Sequence, residues 1–329
     1  MSRAFLSAGV LVCCCVSATA RAGDFSWDLS GGATQSAVGD VDVDGSALAA
    51  THYFDPVDDS RGPYSLAPFF DPASRVSLAM NRTRQTVHEG IILPGAPDLT
   101  TTTDDYTVGG QYWLSASKWY AGGDYTKSDI DSPFVPGRVI TRNDSYAYHV
   151  FAGKYLGPKT SLELGLKRSV SKSGQVLDVC PPPDVCPISG VFDFESKLTR
   201  DDVGVSFVHV RQFRSLVYSL FGGVTETSGH GAVEVTPAPP FILVGPSSLK
   251  PYWTWSGGGE VFPTPKLGIR VGFTRADYDG AHADSYDIAA TWYFKRNIGI
   301  GLAWSKSQLH SDFSTPSVGV TSLRFIGRF

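Results

Sequence analysis

Apolar residues recur along this chain with a period of two. Leu162, Leu164 and Leu166 alternate with Ser161, Glu163, Gly165 and Lys167, and Leu267, Ile269, Val271 and Phe273 alternate with Gly268, Arg270, Gly272 and Thr274. Tyr286, Ile288, Ala290, Trp292 and Phe294 do the same against Ser285, Asp287, Ala289, Thr291 and Tyr293. Successive side chains of a strand point to opposite faces, so each run predicts a strand with one greasy face and one small or polar face. Runs of this kind lie near 25–35, 45–54, 74–87, 105–114, 119–128, 144–156, 161–170, 199–211, 215–225, 249–262, 266–276, 284–294, 298–309 and 317–329. That makes about fourteen strands, with about twelve or sixteen as the neighbouring even counts. After position 22 no apolar stretch reaches the roughly 20 residues of a transmembrane helix.

The greasy faces could pack against a second sheet in a soluble sandwich, or meet lipid around a closed barrel whose polar face lines a lumen. Three features favour the barrel. Connections alternate between tight ones (Ser115 to Lys118, Gly157 to Thr160, Gln212 to Ser215, Pro263 to Lys266, Lys295 to Asn297) and long ones (His88 to Asp104, Ser171 to Leu198, Glu226 to Ser248). Aromatic residues gather near strand ends, at Tyr112, Trp113, Trp119, Tyr120, Tyr146, Tyr148, Tyr252, Trp253, Trp292, Tyr293 and Phe294, as in the girdles that mark a lipid boundary. The last seven residues run Leu323-Arg324-Phe325-Ile326-Gly327-Arg328-Phe329, with Leu323, Phe325 and Phe329 on one face. The expected fold class is all-β, a transmembrane antiparallel up-and-down barrel. One connection does not fit the alternation: Asp55 to Ala73 is long where a tight turn is due. Pro63 there suits the first turn of a short helix reaching Phe70, which would plug or brace the rim.

The ending resembles the C-terminal assembly signal of Gram-negative outer-membrane proteins, with Phe325 and Phe329 as its apolar positions. Ala49-Ala50-Thr51-His52-Tyr53-Phe54-Asp55-Pro56-Val57, followed by Gly62-Pro63-Tyr64-Ser65-Leu66-Ala67-Pro68-Phe69-Phe70, is similar to the start of the general bacterial porin family. These resemblances imply a Gram-negative outer-membrane porin, assembled by the barrel-assembly machinery through the terminal Phe and surrounded by lipid and lipopolysaccharide. A homo-oligomer is compatible with them. The acidic Pro-Glu-Phe-Gly-Gly stretch of the trimeric-porin constriction loop does not occur between Asp129 and Asn143.

Composition adds an address and removes several function classes. Arg3 followed by the apolar run Ala4 to Val16 and small residues at Ala18, Ala20 and Ala22 predicts a signal peptide over residues 1–22, leaving the barrel over 23–329. Removing Arg3 and Arg21 takes the net charge from −4 to −6, so no basic surface for nucleic acid is present. Thirty-five glycines and only 18% charged residues, against roughly 25% in typical soluble domains, disfavour a helical protein. Of the five cysteines, Cys180 and Cys186 lie beyond the signal segment, in a proline-stiffened ring. A disulfide loop staple suits an exported chain, with a soft-metal pair or redox couple as alternatives.

Function then depends on the lumen. About fourteen strands enclose more space than their own side chains fill, so passive diffusion of small hydrophilic solutes is expected. The alternation places Asp28, Arg75, Asp202 and Arg328 inward, together with the candidate selectivity residues Asp124, Glu163, Lys167, Arg270, Asp287 and Arg324. Mixed signs across a constriction would set a transverse field that favours polar or zwitterionic solutes. The alternative is a structural or adhesive barrel whose outer loops bind partners. Arg82 and Arg84 fall in the lipid-facing register at a strand's outer end, where they meet either lipopolysaccharide phosphates or loop water. No enzyme, cofactor or metal site is expected. Asp40 to Gly45 copies the opening of a calcium loop, but Thr51 stands where a chelating Glu belongs; Gly257-Gly258-Gly259 lacks a phosphate-binding context; and the seven histidines, His149 and His209 among them, show no metal-ligand spacing.

Overall fold

The structure is a computed structural model, and it describes residues 24–38, 41–88, 98–131, 138–179, 190–236, 247–311 and 317–329. Strand formation follows the two-residue alternation throughout: β1 (Asp24–Val38), β2 (Val41–Asp58), β3 (Arg75–Val87), β4 (Leu99–Leu114), β5 (Trp119–Asp131), β6 (Arg138–Gly157), β7 (Thr160–Val179), β8 (Gly190–Phe213), β9 (Leu216–Thr236), β10 (Ser247–Thr264), β11 (Leu267–Tyr278), β12 (Ala281–Lys295), β13 (Ile298–Ser311) and β14 (Ser317–Arg328). Each strand pairs antiparallel with its neighbours in sequence, and β1 pairs with β14 to close the barrel. The seam runs from Asp28↔Arg328 to Ala37↔Gly319. It continues past the last strand residue, where the Phe329 amide donates to the Trp27 carbonyl at 2.9 Å and the Ser26 and Trp27 amides donate to the Phe329 carbonyl. Closure leaves no free sheet edge, which is the condition for strands to cross hydrocarbon.

Leu48, Leu78, Leu164, Val205, Val271, Ile288 and Leu302 project outward and are exposed along the barrel's outer wall. An apolar belt of this extent requires lipid as its solvent. The fold is that of an outer-membrane barrel. The start of β1, the end of β14 and the tight β4–β5, β6–β7, β8–β9, β10–β11 and β12–β13 turns share one end, the periplasmic end of such barrels, called here the inner end.

Two expectations need correction. The connections expected to be long are partly strand: β7 runs to Val179, β8 begins at Gly190 and β9 runs to Thr236. Roughly 10 tilted residues cross the apolar band, whereas β8 has 24, so its outer half stands beyond the lipid. The hydrogen-bond ladder persists there without a regular apolar alternation in the sequence; Ser173 and Ser196 pair across that stretch through hydroxyls 2.6 Å apart. The aromatic residues, secondly, do not form one outward girdle. Tyr112, Trp119, Tyr148, Trp253, Trp292 and Phe294 are outward and exposed, but Tyr120 and Tyr293 are buried inside the barrel. Beside these, a β-bulge between Phe25 and Trp27 turns Phe25 inward, to 4% exposure, while Trp27 stays outside. The predicted signal segment 1–22 and the Cys180 and Cys186 ring lie outside the described residues.

Candidate functional site

The inward faces of β5 to β10 build a charged wall. Asp124, His149, Glu163, Gly165, Lys167 and Asp202 line a 380 Å³ recess that continues over Ser206, Thr225 and Ser256. Small residues at alternate inward positions leave room for the long polar ones. Asp124 and His149, cross-strand partners on β5 and β6, approach to 3.0 Å between Oδ2 and Nδ1. Asp202 accepts from the Thr227 hydroxyl at 2.7 Å and from Arg200 Nε at 2.9 Å. The candidates Asp124, Glu163 and Lys167 therefore belong to one recess. Arg270 and Asp287 form a separate pair on β11 and β12, with Nε and Oδ2 3.7 Å apart, and the Arg270 guanidinium lies 4.3 Å from the Phe221 ring centre. Arg324, on β14, lines a smaller recess with Gly32 and Asn81 and joins neither group. β7, carrying Glu163, and β14, carrying Arg324, are seven places apart in a fourteen-strand ring and so stand on facing walls. His149 had no sequence signal of its own beyond its inward parity, and Asp202 becomes part of the recess only through the β7–β8 pairing.

A second element occupies the inner mouth. Between β2 and β3 the chain forms a 3₁₀ turn (Tyr64–Leu66) running into α1 (Ala67–Phe70), with Pro63 ahead of the turn and Pro68 inside the first turn of α1. Too short to be stable alone, this segment is held by the barrel. On one side the Tyr64 amide donates to the Pro265 carbonyl at 3.0 Å, and the Tyr64 ring meets Tyr293 of β12 edge-on at 5.8 Å. On the other, Phe69 lies 5.2 Å from Tyr155 of β6, which in turn contacts Trp113 and Tyr120. β6 and β12 are six places apart in the ring, so the segment crosses the mouth from wall to wall. Gly153 is required beneath Tyr120: a Cβ there would fall within the phenol ring.

Arg328 fastens the segment to the seam. Its side chain is 5% exposed, with Nη2 3.1 Å and Nε 3.2 Å from Asp28 Oδ2. Nη1 donates to the Tyr64 carbonyl, and the guanidinium packs over Phe25 at 4.7 Å and Tyr293 at 5.1 Å. Asp59, nearly buried with Arg296 Nη1 3.7 Å away, has its carboxyl pKa pushed up by that burial.

At the outer end, His88 bridges Asp42 (Nε2 to Oδ2, 3.0 Å) and Asp98 (Nδ1 to Oδ2, 3.1 Å). Hydrogen bonds to Asp42 first and Asp98 second raise the imidazole pKa. A group whose folded pKa is raised stabilises below its unfolded value of about 6.5 and loses that contribution as pH climbs through the raised folded value. Amide exchange at residues 41–44 and 98–101, corrected for intrinsic rates, should therefore accelerate from pH 6 to pH 8, and His88→Ala should abolish the difference. Arg82 of the same rim is engaged by Asp104 at 2.6 and 2.8 Å in a bidentate pair.

No protein-family model and no curated protein sequence matches the chain. The resemblance to general porins therefore stands only at the level of an outer-membrane barrel. Solved structures with the same fold include Omp33 of Acinetobacter baumannii (TM-score 0.53, 16% identity, 94% of this chain and 100% of that one). The Pseudomonas putida toluene transporter TodX gives a TM-score of 0.54 at 10% identity over 94% of this chain and 90% of that one. A Pseudomonas aeruginosa FadL homologue gives 0.56 at 10% identity over 94% and 91%.

Proposed function

We propose that this barrel is a passive outer-membrane channel for small hydrophilic solutes, narrowed at its inner mouth by the segment between β2 and β3. The observation that carries this reading is the lumen wall, where ionised and hydroxyl side chains alternate with glycine on the inward face of β5 to β10. Structural neighbours that include a toluene transporter and a FadL homologue support a transport role in general terms. An apolar cargo would strip water from Asp124, Glu163, Lys167 and Asp202 without replacing their hydrogen bonds, which disfavours a hydrocarbon path along this wall. Small zwitterions and sugars keep those groups solvated or paired.

Two variants test the selectivity assignment. A unit charge about 7 Å from a permeating ion in water changes its energy by about 0.6 kcal/mol, roughly threefold in local concentration. Glu163→Lys should shift the cation-to-anion permeability ratio toward anions by at least that factor in planar bilayers, and Arg270→Glu should shift it toward cations. Unchanged reversal potentials would remove both residues from the selectivity region. Liposome swelling with sugars and amino acids of graded size tests the channel itself: swelling that declines with solute size is expected, and its absence for every solute would favour the adhesive barrel.

A further inference from the structure

We propose that His282, Asp284 and His310 form a binding site for a divalent transition-metal ion on the outward face of the barrel's outer rim. His282 on β12 and His310 on β13 are direct cross-strand partners. Asp284 follows on the same face, with the parity of the outward Tyr286 and Ile288. The two imidazoles stack at 4.6 Å with planes 20° apart, and each Nε2 is 3.9 Å from Asp284 Oδ2. One donor atom from each of the three residues lies within 4.8 Å of the others.

The carboxylate is the independent observation. Asp284 is only 8% exposed, and among the described residues its Oδ1 is buried without a hydrogen-bond partner. Oδ1 faces Arg275 and Oδ2 faces the two imidazoles; a buried carboxylate so poorly paired is costly, and a cation held between Oδ2 and the two Nε2 atoms would relieve that cost. The nearest cation, Arg275 Nη1, stays 3.9 Å away, while its Nε is bonded to Asp277 at 2.8 Å. Arg275 and Asp277 largely neutralise each other, which leaves the Asp284 charge to face the imidazoles. Two neutral imidazole nitrogens and one carboxylate suit zinc, nickel or copper rather than calcium or magnesium, which prefer all-oxygen shells. Ligand bonds of about 2.0–2.2 Å set donor separations near 3.3 Å, reached here by small side-chain rotations. Three protein ligands leave a position for water or an outside ligand.

The test uses the untagged full chain folded in detergent and Zn²⁺ as probe, followed by calorimetry, with Cu²⁺ electron paramagnetic resonance to count coordinated nitrogens. One equivalent of Zn²⁺ should bind, and the Cu²⁺ spectrum should report two imidazole nitrogens. His282→Gln, His310→Gln and Asp284→Asn should each weaken binding at least about tenfold, while His149→Gln should not. Arg275→Gln, which removes the competing cation, should tighten it. Because the residues sit on the surface of a rim, heat-dependent electrophoretic mobility can verify that each variant is folded. Absence of stoichiometric Zn²⁺ binding, equal affinity in the folded His282→Gln/His310→Gln double variant, or weaker binding in Arg275→Gln would overturn the proposal.

Discussion

Replacing residues 60–72 by a short Gly-Ser turn should raise single-channel conductance several-fold. The segment between β2 and β3 touches β6 through Phe69 and β12 through Tyr64, so it divides the inner mouth across its full width. The barrel should still close without it, because each strand makes its hydrogen-bond ladder with neighbouring strands. A gentler pair, Tyr64→Ala and Phe69→Ala, loosens each anchor separately. Tyr64 is buried, and truncating a buried aromatic costs about 3 kcal/mol, whereas the half-buried Phe69 should cost less. Tyr64→Ala should then give flickering transitions between the native level and the larger one, and the combined variant should spend most of its time at the larger level. Conductance unchanged by removal of the whole segment would show that it does not obstruct flow.

Arg328→Met should destabilise the barrel by about 3 kcal/mol, measured by equilibrium urea unfolding in detergent or lipid. The guanidinium is 5% exposed and joins three things at once: the Asp28 carboxylate, the Tyr64 carbonyl and the faces of Phe25 and Tyr293. Its loss strands Asp28, at 18% exposure, beside apolar rings with no counter-charge. Adding Asp28→Asn should return part of the lost stability, because the uncompensated charge disappears with it. A single variant as stable as the parent would mean that water reaches Asp28 freely. Since Arg328 also holds the Tyr64 carbonyl, the same variant should show the looser inner mouth in conductance recordings, linking stability of the β1–β14 seam to the state of the channel.

Much of this was legible in the alternation. Leu162 to Lys167 and Tyr286 to Phe294 assign their own faces without reference to the rest of the chain, because a strand's period of two is fixed by its backbone. The strand limits were less legible where lipid stops. Ser171 to Val179 and Gly190 to Leu198 look like loop because a strand that extends past the lipid no longer needs an apolar face, and only its backbone ladder marks it. Trp113, Tyr120 and Tyr293 read as girdle residues, since an aromatic near a strand end serves lipid and plug equally well in sequence. Their real surroundings depend on Tyr64 and Phe69, residues far away along the chain. His282 and His310 share no motif either; a pairing register brings them together.

Read as a string of residues, the chain already shows a series of two-faced strands, one face oily and the other polar, and which charged residues lie on the polar side. These properties are local, set by side-chain polarity and backbone period. The folded ring settles which inward charges share a recess, which aromatics leave the lipid boundary for the inner mouth, and that Arg328 ties β1 and β14 to the crossing segment. Those outcomes depend on ring closure and cross-strand register, which bring together residues as distant as Asp28 and Arg328, and no local pattern encodes the distance between two walls of a barrel.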